Sequence, residues 1–131
     1  MSHSRLEMLG VIGIEEAVRV LGTVDLYHLG RVHALTQTWD FGDVETGARS
    51  NLRLVAAYGA GEVSDIELVF RDACEIRYPT VPQLEELHVH DVAARQLSGI
   101  QYEVIDHGAS GFRCYCRAIE FRVIEKVVRS V

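Results

Sequence analysis

The chain has 131 residues, 48% of them hydrophobic and 24% charged, with a formal net charge of −6. That length suits one domain, 1–131, with a hydrophobic core of its own, and that balance excludes a disordered or low-complexity protein. The negative sign works against direct nucleic-acid binding, which needs basic residues to meet phosphates.

The N-terminal apolar run, Met8 to Ile14, holds two glycines and stops at Glu15 and Glu16. It is too short for a membrane span of about 20 apolar residues and lacks the form of a secretory signal. The expected location is therefore cytoplasmic, with residues 1–13 loosely held. Ile14, Ala17, Val18 and Leu21 then recur at i, i+3, i+4 and i+7, which predicts a short helix over Glu15 to Leu21 that Gly22 stops.

Everything after the helix reads as strand. Leu26 to Trp39 is rich in strand-forming residues but alternates imperfectly, and Gly30 is placed to mark a bulge. This stretch also carries His28, His33, the single tryptophan Trp39, and Asp40. A glycine-punctuated loop with Asp43 and Glu45 follows. The clearest signal is a hairpin: Leu52, Leu54, Ala56 and Tyr58 share one face, and after Gly59-Ala-Gly61 so do Ile66, Leu68 and Phe70. Pairing is expected to continue through Cys74 to Tyr78, until Pro79 and Pro82 end it.

Leu84 to Val92 places Leu87 and Val89 inward and His88 and His90 outward. A helical turn near Ala93 to Leu97 leads to a strand with Ile100, Tyr102 and Val104 on one face. His107-Gly-Ala-Ser-Gly111 is a turn, Phe112 to Cys116 the returning strand, and Ile119, Phe121 and Val123 line a last one. Alternation breaks at Arg117 and Ala118, which predicts a bend. The expected fold is α+β and mainly β, an antiparallel sheet curled or doubled around one core with one short N-terminal helix.

Several patterns invite a chemical reading. His88-Val-His90 and Cys114-Tyr-Cys116 each project two ligands from one strand face, but the faces differ, so no metal site is expected. With Cys74 the cysteines number three, an odd count with two at i and i+2, which is a poor disulfide framework and points to reduced thiols. Cys74 or Cys114 with His107 as base is a formal nucleophile pairing, yet strand interiors favour inert thiols. Glu85 and Glu86, adjacent on a strand, point to opposite faces. No serine elbow, phosphate loop or HExxH pattern occurs. The expectation is a protein that is not an enzyme and has no cofactor.

Residues 40–91 carry eleven acids against four arginines, a net of −7, whereas 92–131 net +2. Such a middle suits a protein partner with a basic surface. Trp39 with Asp40, Asp43 and Glu45 makes the candidate contact, an aromatic anchor beside a charged rim. Solvated outer strand faces would look similar, with Arg31, Arg53, Arg71 and Arg77 paired to neighbouring acids.

The string from Ile66 to Arg77, then Leu87-His-Val-His-Asp-Val92, Gly99 to Asp106 and Phe112 to Cys116, resembles a family of small bacterial β proteins. Several of its members resemble immunity proteins encoded beside polymorphic toxins. The resemblance covers about residues 50–122, rests on strand patterning and contains no catalytic motif. It implies stoichiometric inhibition of a cognate toxin by direct binding. The alternative is a small-molecule-binding or self-associating β domain, for instance a homodimer.

Overall fold

The periodic residues Ile14, Ala17, Val18 and Leu21 form the inner stripe of α1 (Ile14–Leu21) in the computed structural model, which describes Leu6 and residues 9–22, 24–40, 49–59, 62–95 and 99–130. Glu15 and Glu16 sit at the positive end of the helix dipole, and the Gly22 amide closes the last turn on the Val18 carbonyl at 2.7 Å. Gly13 enters the helix with φ of 82°, and a Cβ there would stand 2.5 Å from the Phe121 carbonyl oxygen. Only glycine fits that contact.

Among the described residues seven strands follow: β1 (Leu29–Asp40), β2 (Arg49–Tyr58), β3 (Glu62–Arg77), β4 (Leu87–Asp91), β5 (Tyr102–Asp106), β6 (Arg113–Cys116) and β7 (Ala118–Ser130). They form one antiparallel sheet in the order β1-β2-β3-β6-β5-β4, with β7 also paired to β3. The fold is α+β and mainly β, as the alternation implies. The chain at Leu26–His28 is a 3-10 turn and not yet strand, because the Asp25 carboxylate accepts the Tyr27 amide at 3.0 Å and caps it. The irregularities of β1 fall around Val32, beside Gly30. A second 3-10 turn, Ala93–Arg95, stands where the helical turn is expected, with the Asp91 carboxylate accepting the Ala93 amide.

β3 is the spine. Its first part pairs with β2 on one edge and β7 on the other; its last part pairs with β6. β6 and β7 are two stretches of one path interrupted at Arg117, where the sequence predicts a bend: Arg71 faces Ala118 and Cys74 faces Tyr115. The sheet curls until the segment before β4 reaches β1. Val32 donates to the Pro82 carbonyl and Leu84 to that of Gly30, each at 2.9 Å, without closing a barrel.

The hairpin positions Leu52, Leu54, Ile66, Leu68 and Phe70 are fully enclosed, together with Val104, Phe112, Cys114, Cys116, Ile119 and Phe121. Each large apolar side chain so placed contributes about 1.5–3 kcal/mol of transfer free energy. Among the described residues no helix is long and apolar enough to cross a membrane.

Candidate functional site

Directly opposed residues of antiparallel strands point to the same face. Leu35, Leu54 and Leu68 are so aligned across β1, β2 and β3, followed by Gln37, Leu52 and Phe70. The next row is Trp39, Ser50 and Ala73. The inner face of the sheet thus runs on past the last enclosed phenylalanine and opens outward. Strict alternation would put Asp72 in that last row. An extra residue in β3 between the partners of Leu52 and Ser50 passes the inner position to Ala73.

The bulge has visible causes and costs. Asp72 has φ of 51°, unusual for a residue with a side chain. Its amide donates to the Asn51 side-chain oxygen at 3.2 Å, and its carboxylate meets Arg117 at 2.7 Å, at the bend between β6 and β7. Three residues on, Glu75 has φ of 48°, where β3 gains a second extra residue against β6. Two left-handed residues in one strand cost about 1–3 kcal/mol each, and such strain gathers where a surface has a task.

Above this double bulge lies a groove of about 700 Å³. Gln37, Trp39 and Ser50 line one side, Asp72 to Ile76 and Tyr78 another, and Gly99, Ile100 and Arg117 the rest. Trp39 is 55% exposed and Tyr78 is 49% exposed, an unusual outlay of aromatic surface. The Tyr78 hydroxyl donates to the Gln37 side-chain oxygen, which fixes its ring against β1.

The thiol at this groove is not a nucleophile in waiting. Burial, and then the charge of Glu75, push the Cys74 thiol up from its usual range. Burial pushes Cys114 well above the ordinary thiol and Cys116 up to about 12. All three are free thiols, protonated at neutral pH. No described hydrogen bond joins His107 to Cys74 or Cys114.

A second cluster gathers on β4. His88 stacks on His90 with centroids 5.8 Å apart, and meets His107 at 4.8 Å and Tyr27 at 5.5 Å edge-on. Its Nε2 lies 3.6 Å from the Glu86 carboxylate. His88 is half-buried under Tyr27, more enclosed than its outward parity implies, because the 3-10 turn before β1 packs over it. Cys114 and Cys116 are in the core, remote in character from these rings. Among the described residues no three His, Cys, Asp or Glu stand where they could share a metal ion.

Of the residues expected to meet a partner, Trp39 stands exposed on the groove. Asp40 ends β1 opposite Arg49. Asp43 and Glu45 lie outside the described residues. Tyr78, Glu75, Ile76, Ile100 and Arg117 join Trp39 without having been singled out; only the broken alternation at Arg117 hinted at this place. Arg53 pairs with Glu67 and Arg71 with Glu120, as expected for outward arginines. His33 approaches Asp65 at 3.3 Å, and His28 packs edge-on against Tyr58, both in structural roles. No family model, curated protein or solved structure matches the chain.

Proposed function

We propose that the protein is a non-catalytic binding module that engages a protein partner through the groove walled by Trp39 and Tyr78. The observation that carries this reading is the single tryptophan, more than half exposed, at the mouth of a preformed concavity. Tryptophan and tyrosine are enriched among residues that dominate binding energy. Among the described residues, three protonated thiols and scattered carboxylates, several of them held in ion pairs with arginines, offer no activated nucleophile, which supports a non-enzymatic role. Free cysteines fit a reducing cytoplasm.

The partner in this reading has a basic surface, complementary to the acidic segment 40–91. Its most specific form is an immunity protein that inhibits a cognate toxin by direct binding, supported by the strand-pattern resemblance over about residues 50–122 and by that acidity. A small-molecule role is the second reading, favoured by the groove's volume, which falls within the range of ligand pockets.

The test is capture of the partner from the native host, followed by association kinetics with the purified pair. Trp39→Ala should cost about 2 kcal/mol of binding with the fold intact by circular dichroism. Neutralising Asp40, Asp43 and Glu45 together should mainly slow association, more so at low salt. A purified partner indifferent to Trp39→Ala would remove the groove from its interface.

A further inference from the structure

The charge around the groove is not balanced. Asp72 already holds Arg117 at 2.7 Å, so the one arginine that lines the groove among the described residues is committed. Glu75 is exposed and makes neither an ion pair nor a side-chain hydrogen bond among the described residues. Arg77, two residues further along β3, does not line the groove and is not bonded to Glu75. Among the described residues one carboxylate therefore faces the concavity without a counter-charge, in a molecule whose net charge is −6.

The aromatic walls have a sign as well. The faces of tryptophan and tyrosine rings are electron-rich and attract cations, tryptophan most strongly. Trp39 and Tyr78 line the same groove as Glu75, and each leaves about half its surface open. Electron-rich faces beside an unpaired carboxylate disfavour an anion and favour a cation with an apolar stem. Ile76 and Ile100 on the same groove offer apolar surface for such a stem.

The backbone supports this assignment independently. Glu75 owes its place to a left-handed residue that breaks the alternation of β3. A glutamate is among the less suitable residues for that conformation, which glycine or asparagine would tolerate better. The strain is borne by the residue that supplies the unpaired charge. Its field reaches the groove, since it contributes to the raised Cys74 thiol.

We infer that the groove receives a cationic side chain, the guanidinium of an arginine or the ammonium of a lysine, presented by the protein partner, with Glu75 as counter-charge and Trp39 and Tyr78 as the aromatic faces. This rests on the binding-module reading above and gives it a chemical class of recognised group.

Because Trp39 is the only tryptophan, its emission reports on the groove directly. The full chain is titrated with three blocked tripeptides that differ only in a central arginine, lysine or citrulline. Citrulline keeps the shape of arginine and removes its charge. The arginine and lysine peptides should shift the emission saturably, with the citrulline peptide about tenfold weaker or worse. Glu75→Gln, checked for fold by circular dichroism, should weaken the arginine peptide about three- to tenfold, and added salt should do the same to the wild type. Equal response to arginine and citrulline, or an unchanged response in Glu75→Gln, overturns the cation assignment while leaving the groove a binding surface. Silence towards all three peptides, with partner binding still sensitive to Trp39→Ala, also overturns it and spares the broader reading. Partner binding that ignores Trp39→Ala defeats both.

Discussion

At the scale of single residues, Asp106 shows how a buried charge becomes a structural part. Its Oδ1 accepts the amides of Glu86 at 2.8 Å, Gly108 at 3.2 Å and Glu85 at 3.3 Å, and its Oδ2 accepts the Ser110 hydroxyl. One carboxylate thereby ties the turn after β5 to the segment that enters β4. Burial by itself would raise its pKa, but the bonds from Ser110, Glu86, Gly108 and Glu85 outweigh it and hold the group below the usual carboxylate range. A folded value below the unfolded one, about 3.9, means the stabilisation is fully present above that pH and is lost as pH falls through the folded value. Asp106→Ala leaves three amides without their acceptor and should cost about 3 kcal/mol at neutral pH. The deficit should shrink on acidification below about pH 4 as the wild type loses the same bonds. Urea unfolding of both proteins at pH 7 and pH 3 measures it; a deficit that stays constant would show that the charge of Asp106 is irrelevant.

At the scale of elements, β3 sets the geometry of the groove through its two bulges. Glycine at position 75 would relieve the left-handed strain but raise the entropy of the unfolded chain, terms of about 1–2 and 0.5–1 kcal/mol. Glu75→Gly should therefore leave stability unchanged or raise it by up to about 1.5 kcal/mol, while weakening the arginine peptide about three- to tenfold, as Glu75→Gln does. A loss of more than about 1 kcal/mol in thermal unfolding would mean that the glutamate side chain itself holds the bulge. The strands could be read from the sequence because Leu52-Leu54-Ala56 and Ile66-Leu68-Phe70 alternate without interruption, and burial on one face enforces that register. The bulges could not. Asp72 and Glu75 sit in a run, Phe70 to Arg77, that reads as ordinary strand, and what holds Asp72 out of it is tertiary: the Asn51 side chain on β2 and Arg117 between β6 and β7. Trp39 was legible as a candidate because it is the sole tryptophan; Tyr78 was not, since only the curl of the sheet brings it beside Gln37.

At the scale of the whole molecule, the groove is where an inner face stops being filled. Leu54 and Leu68 are enclosed, and two rows further on Ser50 and Ala73 are still buried while Trp39, beside them on β1, stands exposed. The core and the proposed contact surface are thus one continuous face, and residues that pack the interior also position the anchor. The shared strand carries a further consequence, for how the molecule comes apart. The β1-β2-β3-β7 half and the β3-β6-β5-β4 half both contain β3, and β6 runs on into β7 through Arg117. Neither half can lose its strands without stripping a ladder from the other, so no subdomain should melt ahead of the rest. Trp39 emission reports one end of the sheet, and far-ultraviolet dichroism all of it. Their urea transitions should share a midpoint, and a tryptophan signal that moves first would show that the groove end opens as a separate unit.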